Sequence, residues 1–226
     1  MMALIDRIAR PFRWLLDRIA AGIAATGIHP TLLIWASVFF YFWAGLLFAV
    51  GRFSAAGAWM LVAGFCDLLD ERVAHHQNRG MIFAIFLDSI LDRYADLILF
   101  VALLVYYARV NRFVDCVVVG FAMAGAVLVS YAESRAASLI ENARVGFWER
   151  PERIVLMVIA AFANRMPVAL WILAIGSNIT VVHRMLHTWQ LTEGKRRGQT
   201  IPETSATASA EVSKAQVLTR GAAGGR

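Results

Sequence analysis

The sequence predicts an all-α, polytopic membrane protein: six transmembrane helices preceded by an interfacial amphipathic helix. Three observations predict it. Of 226 residues, 59% are hydrophobic and only 17% are charged, whereas a soluble domain carries about 25% charged residues to solvate its surface. The apolar residues fall in runs near the roughly 20 that a helix needs to cross a bilayer core. The runs also lack the alternating polarity of a membrane β-barrel. Mean hydropathy is +0.61 and the pI is about 9.9. The arginines lie between apolar runs and not on one basic face, so the charge excludes nucleic acid as a partner. The same composition excludes an ordinary water-soluble enzyme and a disordered chain.

Each element has its own justification. Residues 1–24 form an N-terminal unit in which Phe12, Leu15, Leu16, Ile19 and Ile23 recur at helical spacing, with Arg13, Asp17 and Arg18 on the other side and Pro11 at a first helical position. This helix is expected to lie flat in the cytoplasmic interface; packing on the cytoplasmic loops is its alternative. Residues 25–190 form the membrane domain, with spans at 31–50, 54–74, 81–107, 114–134, 152–165 and 167–189, the fifth being short. Gly57, Gly64, Gly120 and Ser130 inside the spans fit closely packed helices. Cys66 and Cys116 lie in separate apolar runs with no metal-ligand spacing and read as small core residues. Residues 191–226 turn to Gly, Ser, Thr, Ala and scattered charge, the composition of a disordered cytoplasmic tail. No internal repeat is visible.

Basic residues give the orientation. With six spans, seventeen arginines and lysines fall on the side of the termini and only Arg52, Arg109, Arg112 and Arg165 on the other. Both termini are therefore expected in the cytoplasm, and the short loops suit a bacterial inner membrane.

The chemistry is carried by acidic residues inside the spans. Asp67 and Asp70 end the second span, and Asp88, Asp92 and Asp96 run down one face of the third; spacings of three and four put each set on a single helical face. One Asp at mid-membrane costs about 2.5–3.5 kcal/mol, so four cost roughly 10 kcal/mol before their mutual repulsion. Something must offset that. One reading is an ion-pair network with Arg72, Arg79 and Arg93, or an ion path. The other is a pair of divalent cations, since hard oxygen ligands from two helices suit Mg²⁺ or Mn²⁺, with substrate phosphate completing the shell. The residues alone lead to metal-dependent phosphoryl chemistry at the cytoplasmic membrane face.

The stretch from Asp67 to Asp92 resembles the motif of the CDP-alcohol phosphatidyltransferase family, D-x2-D-G-x2-A-R-x8-G-x3-D-x3-D. All four aspartates are in register and Ala74 matches. Gly27-Ile28-His29-Pro30, Asp92-Arg93-Tyr94-Ala95-Asp96, Ser130-Tyr131-Ala132-Glu133-Ser134-Arg135-Ala136 and Glu149-Arg150-Pro151-Glu152-Arg153 are similar to further family blocks, extending the likeness over about 20–190. The resemblance implies six transmembrane helices, a homodimer, and two divalent ions, Mg²⁺ or Mn²⁺, on Asp67, Asp70, Asp88 and Asp92. It also implies transfer of a phosphatidyl group from a CDP-linked lipid such as CDP-diacylglycerol to an alcohol acceptor, with release of CMP, in phospholipid biosynthesis. By the same resemblance Asp92 would be the fourth ligand or the base that takes the acceptor's proton.

The departures from the motif cluster at the nucleotide positions: Glu71 stands for the first glycine, His75 for the arginine, Ala84 for the second glycine, and Met81 for a frequent threonine or serine. Glu71 adds bulk and negative charge beside a diphosphate, and His75 is mostly neutral near pH 7 where arginine is always charged. Glu71 joining the metal shell, or His75 and His76 contacting phosphate when protonated, competes with the plainer reading of solvated polar residues at a span's end. Arg135, Arg144, Arg153 and Arg184 are candidates to hold a phosphate on the acceptor, against the alternative that they only enforce topology and meet lipid headgroups. Glu133 replaces a basic residue frequent in members that use phosphorylated acceptors. The function expected is thus an integral-membrane phosphatidyltransferase with a remodelled donor site. A catalytically impaired paralogue that keeps metal but binds nucleotide poorly, or a small ion-conducting protein, is the alternative. Replacing Glu71 by Gly and His75 by Arg together should raise CMP release from CDP-diacylglycerol in the purified protein; an unchanged rate would show that these positions do not limit donor use.

Overall fold

The computed structural model describes residues 14, 16–27, 29–76, 82–139, 148 and 150–199, with the side chains of residues 71, 74–76, 82, 137–139, 191 and 194–199 outside that description. Seven helices and no strands occur among the described residues. A first helix, α1, covers 16–25. It is followed by α2 (Pro30–Ala49), α3 (Phe53–His76), α4 (Ile82–Arg109), α5 (Phe113–Leu139), α6 (Arg150–Phe162) and α7 (Met166–Gln199). The expected all-α class is what the chain adopts.

Three tight turns build the bundle from helical hairpins. After α2, α4 and α6 the chain passes through a left-handed residue: Gly51 (φ 82°), Asn111 (φ 55°) and Asn164 (φ 51°). Glycine and asparagine are the residues that reach this conformation most easily. Each turn closes with the same two hydrogen bonds, Arg52 N to Leu47 O and Gly51 N to Phe48 O in the first, with matching pairs at Arg112 and Arg165. This is the Schellman arrangement, which satisfies carbonyls left open at a helix end. Arg109 adds a donor from α4 to the Ala49 carbonyl at the end of α2. Three of the four arginines expected to face away from the cytoplasm, Arg52, Arg112 and Arg165, thus lie in the turns that terminate helices.

Packing follows from small residues. α2 packs on α3 and α4, α5 on α4 and α7, and α6 on α3 and α7. A methyl group added at Gly45 would lie 2.9 Å from Ile98, and one at Gly57 3.0 Å from Ala161, so these glycines let α2 meet α4 and α3 meet α6 at close range. At Gly125 an added methyl would lie 2.8 Å from both Ser177 and Asn178 of α7. Gly120, by contrast, has nothing within 4 Å of an added methyl, so the close contact expected there is absent. A continuous core runs from Tyr41 and Phe48 through Met60, Leu99, Leu103 and Tyr107 to Met157 and Leu170. The outer surface is apolar too, with Trp35, Phe39, Phe121, Trp171 and Ile179 all exposed. A surface of that kind needs a hydrocarbon solvent.

Among the described residues, four helices contain stretches long and apolar enough to cross a membrane: Pro30–Ala49, Phe53–Asp70, Phe113–Ala136 and Met166–Gln190. The other two expected spans fall short for physical reasons. α4 is 28 residues long but carries Asp88, Asp92, Arg93 and Asp96 in its first half. α6 has only 13 residues, about 20 Å of helix against a core of about 30 Å. α1 turns Leu16 and Ala20 onto Leu69 and Val73 of α3, where all four are buried, and Asp17 pairs with Arg72. Trp14 stays exposed, with Arg18 stacked 5.0 Å from its ring centre. One boundary needs correction: α7 continues to Gln199, into the stretch 191–226 expected to be unstructured, because Leu191 to Gln199 contains no proline, and its two glycines, Gly194 and Gly198, weaken a helix without ending it. Residues 1–13 and 200–226 lie outside the described residues.

The α5–α7 seam gives a direct test. Gly125→Leu should lower the unfolding temperature of the detergent-solubilised protein by several degrees, since forcing side chains into a filled contact costs about 1–3 kcal/mol. Gly120→Leu, facing open space, should leave it unchanged.

Candidate active site

The acidic residues meet at the end of the bundle opposite the three tight turns. Asp67 lies 14 residues beyond the start of α3 and Asp92 17 residues before the end of α4. At 1.5 Å per residue both sit about 20–25 Å from the turns. α6 starts at the same depth, which brings Arg150 and Arg153 to them. The helical register places Asp92 and Asp96 one turn apart on α4, and Tyr41 comes in from the middle of α2.

Arginine 150 is the centre of the cluster. Its Nη1 donates to Asp67 Oδ2 at 2.9 Å and to Asp92 Oδ1 at 2.7 Å. Its Nε lies 3.6 Å from Asp96 Oδ1, and its guanidinium carbon is 5.3 Å from the centre of the Tyr41 ring. Tyr41 donates its hydroxyl to the same Asp67 oxygen at 3.1 Å. Arg153 is 2% exposed and gives Nη2 to Asp96 Oδ2 at 2.6 Å, with Nη1 on the Trp148 carbonyl. Trp148 in turn lies against Gly176, where an added methyl would meet its Nε1 at 2.2 Å. A larger residue at 176 would push the Trp148 carbonyl off Arg153.

The other expected residues fall out as follows. Asp70 is buried and Asp88 half-buried. Arg135 is exposed, and Ala84 is half-buried. Glu71 and His75 lie on α3 with side chains outside the described residues, and Met81 and Arg144 lie outside them altogether. Among the arginines expected to pair with the aspartates, Arg72 instead meets Asp17. Arg93 donates to the carbonyls of Ser89 and Ser130 and to Ser134 Oγ. Arg79 lies outside the described residues. Arg184 is buried on α7 and bonds the Val129 carbonyl and, at 3.1 Å, Glu133 Oε2.

Sequence reasoning therefore missed Arg150 and Tyr41. The sequence places Arg150 among the basic residues on the side of the termini and in the Glu149–Arg153 block that resembles the family, but gives it no role at the aspartates. Tyr41 carries no signal in sequence, since an aromatic residue in an apolar helix is ordinary core.

The donor set suits a hard divalent cation. Every acidic ligand is a carboxylate, Asp67 and Asp92 converge on a single point occupied by a cationic nitrogen, and Asp67 Oδ1 is buried without a hydrogen-bond partner. As the side chains stand, however, no three His, Cys, Asp or Glu residues among those described are gathered closely enough to hold a metal ion. The carboxylates are closed around Arg150.

Comparison with known proteins identifies the family. The model of the CDP-alcohol phosphatidyltransferase family matches residues 28–189. A phosphatidylinositol phosphate synthase of Streptomyces avermitilis is 33% identical over 204 residues, covering 81% of this chain and 82% of that protein. An archaetidylinositol phosphate synthase of Methanothermobacter thermautotrophicus is 32% identical over 149 residues, covering 63% and 74%. Among solved structures, the phosphatidylinositol phosphate synthase of Mycobacterium tuberculosis with CDP-DAG bound superposes with a TM-score of 0.71 at 25% identity, covering 77% of this chain and 93% of that one. The same enzyme in complex with manganese and citrate gives 0.71 at 26% identity, covering 77% and 88%. The family match spans well over half the chain and takes in all four aspartates, both site arginines and Tyr41: the chain belongs to the CDP-alcohol phosphatidyltransferase family.

Proposed function

We propose that this protein is a membrane phosphatidyltransferase that moves a phosphatidyl group from CDP-diacylglycerol to the hydroxyl of a phosphorylated polyol of the inositol phosphate class. The single observation that carries the site reading is the convergence of Asp67 and Asp92, from different helices, on one cation in a bundle with an apolar exterior. The donor and acceptor classes are supported by the names and contents of the similar proteins.

Asp67, Asp70, Asp88 and Asp92 would hold two divalent ions, Mg²⁺ or Mn²⁺. Bound there, such ions neutralise the diphosphate and stabilise the leaving oxygen. The chain's own part is to set the carboxylates in a half-buried cleft and to take the proton. The acceptor oxygen forms a bond to the phosphorus bearing the diacylglycerol, the bond from that phosphorus to the CMP oxygen breaks, and the acceptor proton passes to a carboxylate oxygen of Asp92. In this reading the short α6 and the charged α4 join the four apolar spans to make six crossings, and the excess of basic residues on the side of the termini supports a cleft and termini facing the cytoplasm at an inner membrane. The apolar stripe of α1 lies at the interface on one side and on α3 on the other, and the protein works as a homodimer. Glu71, His75 and Met81 would border the nucleotide.

Two ion pairs favour a second acceptor class, an uncharged polyol. Arg153 is taken by Asp96 and Arg184 by Glu133, so two of the cations nominated for an acceptor phosphate are already neutralised; Arg135 and Arg144 are the others nominated.

The test is CMP release from CDP-diacylglycerol in detergent with Mn²⁺ or Mg²⁺, against a panel of inositol phosphate, glycerol phosphate and free inositol. Turnover with inositol phosphate and its loss in Asp92→Asn is the expected result; turnover only with free inositol would move the assignment to the second class. Glu133→Lys should raise kcat/KM for the phosphorylated acceptor relative to the neutral one, on the order of tenfold if a charge-assisted contact worth about 1.4 kcal/mol is gained.

A further inference from the structure

We propose that Arg150 is a resident counter-cation of the acidic cleft: it holds Asp67 and Asp92 together in the ion-free protein and competes with divalent cations for them. This rests on the reading of those aspartates as metal ligands.

The geometry separates Arg150 from an ordinary structural salt bridge. A single nitrogen, Nη1, serves both carboxylates, and it is not the two-pronged fork that makes arginine–carboxylate pairs strong. Arg150 Nη2 and Nε are buried without hydrogen-bond partners, and so is Asp67 Oδ1. Both partners are therefore left with unsatisfied capacity. A pair selected only for stability would spend those donors and acceptors on one another, because each orphaned buried group costs about 1–3 kcal/mol.

Charge balance points the same way. Asp67, Asp92 and Asp96 face Arg150 and Arg153, three carboxylates against two guanidinium groups. Arg153 is fully buried and fixed between Asp96 and the Trp148 carbonyl. Arg150 is the more exposed of the two, at 20%, and stands at the first turn of a helix. One cation is locked and the other is partly open to solvent. Among these described groups one carboxylate is in excess, which leaves the cleft attractive to a further cation. A divalent ion would be held by the same carboxylates of Asp67 and Asp92 that Arg150 now engages, so ion and guanidinium would compete for them. Without Arg150 the two carboxylates would repel each other across the cleft before an ion arrived. The residue thereby preassembles the ligands and sets the affinity for the ion that replaces it.

The experiment uses the full-length protein in detergent, titrated with Mn²⁺ alone, with binding read by calorimetry and by loss of the free-ion EPR signal, and stability read by thermal unfolding. Arg150→Gln should unfold at a lower temperature than wild type without metal. It should bind Mn²⁺ roughly tenfold or more tighter, given that close charge pairs couple by about 1.4 kcal/mol or more, and should show the larger Mn²⁺-induced rise in unfolding temperature. Equal or weaker Mn²⁺ binding in Arg150→Gln, while Asp92→Asn loses binding, overturns the role of Arg150 alone. Wild-type protein that binds no Mn²⁺, or Asp92→Asn that binds it as well as wild type, overturns the metal-ligand reading and this proposal with it. Should Arg150→Gln fail to fold, Arg150→Lys decides. Its compact ammonium bridges two carboxylates less well, so Mn²⁺ should bind severalfold tighter than in wild type, and unchanged affinity overturns the proposal.

Discussion

A guanidinium held among carboxylates from two other helices is the interaction around which this bundle is organised. Arg150 reaches Asp67 on α3 and Asp92 on α4 with one nitrogen, and Arg153, one turn on, neutralises Asp96. Charges at this depth are tolerated only in company. Removing one member of a buried pair leaves the other uncompensated, at about 3–5 kcal/mol, so the start of α6 has to stay against α3 and α4. Tyr41 extends the requirement to α2 through its hydroxyl on Asp67 and its ring beneath Arg150. Four helices are thus tied to one half-buried point, the site proposed for the transfer.

The rest of the architecture can be read as what makes that point possible. Three hairpin turns with left-handed Gly51, Asn111 and Asn164 keep α2, α4 and α6 in register with their partners at the far end. Small residues at Gly45, Gly57 and Gly125 draw the helices together. α6 is only 13 residues long, and its shortness has a consequence: its first residue begins at the depth of the aspartates. A full-length span would carry Arg150 past them. Trp148, wedged against Gly176, positions the carbonyl that fixes Arg153, so the approach to α6 is shaped by α7 as well. A cleft built this way presents carboxylate oxygens to a cation while its outer walls remain apolar, which is what a reaction between a lipid-linked diphosphate and a water-soluble alcohol requires.

Much of this was legible beforehand because helical periodicity is a local property. Spacings of three and four residues put Asp67 with Asp70, and Asp88 with Asp92 and Asp96, on common faces without any knowledge of the fold. The stripe that includes Leu16, Ile19 and Ile23 was visible too, but not its partner: in the structure it packs with Leu69 and Val73, Ala20 joins the contact, and Asp17 pairs with Arg72. Partner choice was the part that could not be read. Arg72 and Arg93 were the near neighbours in sequence, yet Arg93 is drawn to Ser130 and Ser134 of α5. The cation that reaches the aspartates comes from 83 residues beyond Asp67. Arg153 and Arg184, nominated as open anion contacts, are closed by Asp96 and Glu133. The end of α7 was also misjudged, since a change of composition near residue 191 does not stop a helix that meets no proline there and runs through Gly194 and Gly198.

By itself the sequence determined that the chain is helical, lives in an apolar solvent, and carries a family's four aspartates at family spacing, because composition and the 3.6-residue period act within each helix. Only the tertiary structure decided which charges meet. That depends on the axial position at which separate helices pass one another, and no local pattern encodes it. Asp67 and Asp92 could have been separated by a helix turn and every periodicity would read the same. It is the hairpin turns and the short α6 that bring them, with Arg150, to one level.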